Sequence, residues 1–236
     1  MNDLEQRKLD ALAEFAAGAG HEINNPLAII SGRVQLLLRE IEHPEHRRQL
    51  GVIVAQVKRA YEMIADIRFF ARPPQPEPVI FNLCEELQTL VNEQLPLMSE
   101  AGVHFQVEPN SVNVPMVESD PVLLHVAVSV LCNNAREAVQ PTGGTVWLRY
   151  HKEDDWIISV QDDGPGVLEE TRPLIFDPYY SGREAGRGLG FGLSKAWRIM
   201  QLLGGSIRHE SPDNQQGAIF VLTLPAFFLS HAKANC

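Results

Sequence analysis

Along the N-terminal third of the chain, apolar positions recur by steps of three and four. Leu12, Ala16, Ala19, Ile23, Leu27, Ile30, Val34, Leu37 and Ile41 form one series, and Leu50, Ile53, Val57, Ala60, Ile64, Ile67 and Ala71 a second. That period belongs to packed helices, not strands. The spacing predicts helices over 3–42 and 46–72. The connection through His43, Pro44 and Glu45 is short enough only to turn the chain back on itself. Each stripe of such a hairpin has one covering surface within the chain, so a second copy and a four-helix bundle across a two-fold axis are expected.

The stretch RPPQPEPV, 72–79, holds four prolines in eight positions and cannot continue a helix. Beyond it the pattern turns mixed. A helix is expected from about Asn82 to Ala101, then strands at VHFQV and near VPMVE, and a helix from Asp120 to Gln140. A hairpin of strands at TVWLRY and WIISVQD follows, then a glycine-rich stretch, a helix near Leu193 to Leu203, and strands at SIRHES and AIFVLTL. Hairpin-connected strands with helices elsewhere indicate a sandwich whose helices cover one face of the sheet. The expected class is α+β: an antiparallel helical hairpin over 1–72, a proline-rich linker over 73–80, an α/β sandwich over 81–228 and a tail over 229–236.

Composition narrows the function classes. No run reaches the 18 or so uncharged apolar residues of a membrane span, since LAIISGRVQLLL is short and carries Arg33. The N-terminus has acids throughout and no compact apolar core, unlike a secretory signal, so a cytoplasmic protein is expected. Cys84, Cys132 and Cys236 show no paired metal-ligand spacing. Residues 1–72 balance ten acids against ten Lys/Arg, whereas residues 73–236 hold twenty acids and ten Lys/Arg. A neutral first part and an acidic second part argue against nucleic-acid binding, which needs a basic surface.

The chemistry is densest in FAAGAGHEINNPLAIISG, residues 15–32. His21 and Asn25 share a helical face, Glu22 lies about 100° round, and His21 lies about 160° from Ile23, away from the seam. An imidazole so placed faces solvent. Glu22 can take the proton from one ring nitrogen while the other attacks an electrophile such as phosphorus. Pro26 leaves the carbonyl of Glu22 without its i+4 donor, so the helix is expected to bend. By itself a surface His beside a Glu is most often a solvated pair. At these positions, however, His21, Glu22, Asn25, Pro26 and Leu27 resemble, one by one, the phosphoacceptor motif of sensor histidine kinases, and HEINNPL looks most like the nitrogen- and dicarboxylate-sensing branch.

Four further clusters follow in the second domain. Asn134 and Ala135, in LCNNAREA, resemble the asparagine box of the same kinases, which implies an amide ligand for the Mg²⁺ that bridges nucleotide phosphates, a suitable hard-oxygen donor. Many relatives carry a second Asn one turn earlier, where this chain has Val130. In DDGPG, Asp162 resembles the adenine-reading aspartate, with Gly164 and Gly166 freeing the backbone for close approach and positive φ; the plain alternative is a turn. Gly186, Gly188, Gly190 and Gly192 alternate and run into a helix, where backbone N–H groups can meet phosphate oxygens. This segment resembles the second glycine box, preceded by an aromatic segment at Phe176 and Pro178, with Arg183 and Arg187 placed to reach phosphates or to lie solvated on a lid. The last cluster, LGGSIRHES with GAIFVLTLP, looks like the closing part of the fold.

The resemblance spans nearly all of residues 10–225. It implies a homodimeric histidine kinase core using ATP and Mg²⁺, with His21, Glu22 and Asn25 catalytic. The nucleotide site would comprise Asn134, Asp162, Gly164, Gly166, Phe176, Arg183, Arg187, Gly188, Gly190 and Gly192, and a response regulator would be the partner. Two alternatives stand: a dimeric scaffold that binds nucleotide without transferring phosphate, and another ATPase or serine kinase of the same nucleotide fold. No sensory domain is expected ahead of His21, so either the chain is an excised core or its signal arrives through a partner protein.

Overall fold

The computed structural model describes residues 3–109, 116–140, 143–178, 180, 190–212 and 216–226. The chain forms two compact units, and the main chain passes from one to the other between Pro74 and Gln75.

The first unit is a hairpin of α1 (Asp3–Glu40) and α2 (Pro44–Ala71). The second helix starts two residues earlier than the apolar series suggests, because Pro44 occupies its first turn, where the missing amide costs nothing. The Arg47 guanidinium reaches back to the carbonyls of Leu38 and Ile41, satisfying acceptors that the end of α1 leaves open. At the other end a Cβ on Gly20 would lie 3.1 Å from Ile64 Cγ2, and the Tyr61 hydroxyl donates to the Asn24 carbonyl at 3.2 Å. These contacts set an antiparallel register.

The seam differs from the one expected. Gly20, Asn24, Leu27, Ser31, Val34, Leu38 and Ile41 carry the reduced exposure along α1, with Val34 buried, whereas Ile23, Ile30 and Leu37 remain 45%, 43% and 42% exposed. The α1 series therefore serves two faces, one closed on α2 and one open. On α2, Leu50, Val54, Val57, Tyr61 and Ile64 line the closed face, and Val52 and Ile53 are exposed. The side chains of Leu12, Ala16, Ala19, His21 and Ala71 lie outside the described set.

The second unit opens with β1 (Val79–Asn82), which claims the last two positions of the expected linker and pairs antiparallel with β3 (Met116–Ser119). Between them stand α3 (Leu83–Glu100) and β2 (His104–Pro109). Asn82 caps α3, accepting from the amides of Cys84 and Glu85 at 3.0 and 3.3 Å. Asp120 caps α4 (Pro121–Val139), accepting from Leu123 N at 3.0 Å and from Glu77 N at 2.8 Å. Then follow β4 (Thr145–Lys152), β5 (Trp156–Asp162), a 3₁₀ turn over Glu169–Leu174, α5 (Gly192–Leu202), β6 (Ser206–Glu210) and β7 (Ala218–Leu224).

The main sheet runs β2-β4-β5-β7-β6. Its β4–β5 hairpin matches the sequence pattern. The β2–β4 pair is parallel, and β7 inserts between β5 and β6, arrangements that strand periodicity cannot encode. Alternation is strict on β4 and β5: Val146, Leu148, Tyr150, Trp156, Ile158 and Val160 are buried on the face where α4 packs. The opposite face mixes apolar side chains, among them Trp147, Ile157 and Val221, with polar ones. Arg149 donates to Glu108 and Gln161, each at 2.6 Å, and the Trp147 indole donates to Gln106 at 3.0 Å. Helix α4 covers the face that buries Val146, Leu148, Ile158 and Val160. His125 ties α4 to α3 through Glu86 and Glu93, at 2.8 and 3.0 Å.

Leu131 on α4 is fully buried and Val122 on the same helix is 70% exposed. Leu131→Ala should therefore lower the unfolding free energy by about 2–5 kcal/mol, while Val122→Ala should change it by less than about 0.5 kcal/mol, both read from urea titrations of the whole chain.

Candidate active site

Helix α4 presents two working faces. One is buried: Leu124, Ala127, Val128, Leu131, Cys132 and Ala135 pack into the core. Val130, Asn134 and Ala138 follow one another at intervals of four, so they share a second face. A Cβ on Gly192, the first residue of α5, would lie 3.6 Å from Val130 Cγ1, and one on Gly164 would lie 3.2 Å from Ala138 Cβ. The start of α5 and the DDGPG turn therefore meet α4 one turn to either side of Asn134. Three clusters separated by up to sixty residues of chain converge on one helix face.

Asp162 ends β5 and is 2% exposed. Burial pushes its carboxyl up to about 6, against the pull of hydrogen bonds from the amides of Gly164 and Ala218, and the charge of Asp163 adds to the upward shift. The Gly164 amide donates to Asp162 Oδ1 at 2.9 Å. A side chain at Gly164 would press on that oxygen and on Ala138, so this glycine supplies space rather than positive φ. Gly166 does need its φ of +76°, and a Cβ there would stand 2.7 Å from the Gly217 carbonyl. This corrects the sequence expectation, which gave both glycines the same two reasons.

Sequence reasoning missed the partners of this turn. Asp163 accepts from Thr145 N at 2.8 Å, binding the turn to β4. Gly217, at φ +90°, lies so close that a Cβ would collide with the Asp162 carbonyl. The doubled aspartate was a visible signal for the first. A single glycine ahead of β7 was no signal for the second, since its contact is between strands distant in sequence.

On the lid side, Gly190 has φ +71° and Gly192 begins α5. Phe191, at the N-cap of α5, provides no capping oxygen, so the first amides of the helix face no competing acceptor from it. Phe191 itself is buried, and the Ser194 hydroxyl donates to its carbonyl at 3.0 Å. Phe176 meets Phe220 of β7 edge-on, with centroids 6.4 Å apart, which anchors the segment entering the glycine-rich stretch. Gly186, Gly188, Arg183 and Arg187 lie outside the described residues.

In the hairpin, α1 stays helical through Pro26, and Glu22 and Asn25 are exposed. The orientation of the His21 side chain lies outside the described set. Among the described residues no group of three or more His, Cys, Asp or Glu could hold a metal ion. A site with one amide oxygen, completed by phosphate oxygens and water, suits Mg²⁺ and no tighter metal, so Asn134 fits that ion only together with a nucleotide.

Two family models match. The His Kinase A (phospho-acceptor) domain covers residues 11–76, and the histidine kinase-, DNA gyrase B- and HSP90-like ATPase covers residues 119–227. The chain belongs to the sensor histidine kinases. This kinase core is 31% identical over 94% of its length to the signal transduction histidine-protein kinase AtoS of Escherichia coli, of which it spans 36%. It spans about a third to a half of the length of the curated relatives it matches. Its fold is shared with full-length ShkA crystallised with AMPPNP, at a TM-score of 0.74 and 23% identity over 90% of this chain and 45% of that one. It is shared too with the histidine kinase ThkA in complex with the response regulator TrrA, at 0.69 and 24% over 95% and 65%. Among the described residues no helix of the kinase core is long and apolar enough to cross a membrane.

The raised pKa of Asp162 carries a stability consequence. The unfolded carboxyl ionises near 3.8 and the folded one near 6, so its burial penalty is full above about pH 6 and fades as pH falls toward 4. In urea unfolding of the nucleotide-free chain, the stability difference between parent and Asp162→Asn should shift in the parent's favour by about 1–1.5 kcal/mol between pH 7.5 and pH 5.

Proposed function

We propose that this chain transfers the γ-phosphoryl group of ATP to His21 and then to an aspartate of a response regulator. The observation that carries the reading is the union, in one chain, of the HEINNPL hairpin with an ATPase-type domain in which the DDGPG turn and the start of α5 meet one face of α4. Asp162 accepts a hydrogen bond from the exocyclic amine of adenine. Gly164 and Gly166 allow the ring to approach, and Phe176 steadies the neighbouring segment. The amides at Gly190 and Gly192, with Gly188, Arg183 and Arg187, receive the phosphates.

One His21 ring nitrogen attacks the γ-phosphorus while Glu22 takes the proton from the other. The bond to the β–γ bridging oxygen breaks and ADP leaves. A carboxylate oxygen of the regulator then attacks phosphorus, and the P–N bond breaks. Positioning supplies most of the acceleration, as in other phosphoryl transfers. Asn134 would hold Mg²⁺ together with the phosphates, and the ion would supply charge neutralisation at the transferring group. Asn25 orients water for the reverse task, dephosphorylation of the regulator. ATP as donor makes the cytoplasm the proposed compartment, with the signal delivered by a sensory partner or segment.

The hairpin is proposed to act as a homodimer, since Ile23, Ile30, Leu37 and Ile53 form an open apolar face beside the closed one. Ile30→Glu combined with Leu37→Glu should give a monomer by sedimentation, with the nucleotide unit still folded; a dimer of unchanged strength would sink this assignment.

Val130 favours a second reading. Where a second amide is common, this chain packs a methyl group against α5, which suits a nucleotide-binding scaffold without transfer. Incubation with γ-labelled ATP separates them: the kinase reading expects an acid-labile phosphoprotein that His21→Gln abolishes with nucleotide affinity held within about twofold. Acid-stable label would point instead to a serine kinase.

A further inference from the structure

We infer that Tyr61 and Asn24 are positioning residues for transfer at His21, an inference that rests on the phosphotransfer reading above. At the level of the phosphoacceptor the hairpin seam ceases to be apolar. Gly20 and Asn24 occupy α1 positions whose successors are Leu27, Val34 and Leu38, and Tyr61 faces them from α2 in the row that continues through Val57 and Val54. Asn24 falls outside the phosphoacceptor pattern, so nothing in that pattern explains a carboxamide here.

Two contacts define the arrangement. The Tyr61 hydroxyl donates to the main-chain carbonyl of Asn24 at 3.2 Å, and the side-chain oxygen of Asn24 is buried without a hydrogen-bond partner. Two residues on, Pro26 deprives the Glu22 carbonyl of its helical donor, so the α1 ladder lacks a bond across residues 22–26. Tyr61 ties that stretch to α2 at its midpoint. Asn24 stands three residues after His21 and directly before Asn25, so any turn of its peptide moves the phosphoacceptor and both of its polar neighbours. The single phenolic hydrogen serves one oxygen at a time, and both oxygens of Asn24 face the seam. A leucine at this position would remove the buried unpaired oxygen and favour the helix, so the asparagine costs stability here.

The test uses the whole chain with Tyr61→Phe, which removes only the hydroxyl, and Asn24→Leu. Autophosphorylation kcat should fall about three- to tenfold in both variants, the upper end being the tenfold that one hydrogen bond carries. The KM for ATP should stay within about twofold and the dimer should persist. Asn24→Leu should melt higher than the parent, so that activity and stability move in opposite directions. The inference is overturned if kcat is retained in both variants, or if it falls only in step with a lower Tm. If the parent itself yields no acid-labile label, the phosphotransfer reading fails and this inference with it.

Discussion

Close approach of backbone to the second face of α4 is the constraint on which the nucleotide unit depends. Gly164 and Gly192 let two segments come so near that a Cβ on either would touch Ala138 or Val130, one turn on each side of Asn134. A Cβ at Gly164 would press the Asp162 carboxylate, and one at Gly217 would collide with the strand end that carries it. The buried carboxylate, held by two amides, therefore depends on glycines in two separate segments, Gly164 and Gly217. The apolar face of α4 makes this possible by anchoring the helix on β4 and β5, so that its other face need bury nothing of its own.

The hairpin divides its surface differently. Apolar residues occur on α1 in more rows than one partner helix can cover, and the α1–α2 contact takes the row of Leu27, Val34, Leu38 and Ile41. The row of Ile23, Ile30 and Leu37 is left open. Near the phosphoacceptor even the closed row turns polar. Towards the turn Arg47 caps α1, and at the other end Gly20, Asn24 and Tyr61 meet.

Much of this was legible in the residues. The helices, with their starts near Asn82 and Asp120, and the β4–β5 hairpin follow from periodicity and local side-chain chemistry, which act over a few residues. The phosphoacceptor stretch and the DDGPG turn were likewise legible, because their spacing is local. Which apolar row closes on α2 was not, since rows 100° apart satisfy the same steps of three and four. Nor were Gly217 as the neighbour of Asp162, Val130 as the seat of α5, or the 3₁₀ turn over Glu169–Leu174, whose short run with an internal proline carries little periodic signal.

Order along the chain, then, was enough to say that a helical hairpin bearing His21 precedes an α/β sandwich with nucleotide-type loops. Three-dimensional packing alone placed β7 between β5 and β6, set β2 parallel to β4, and gathered Asn134, Asp162 and Gly192 around one helix face. The reason is range. Backbone propensity and hydrophobic period are properties of neighbouring residues, whereas strand order and contact between loops arise from competition among distant segments for one buried surface.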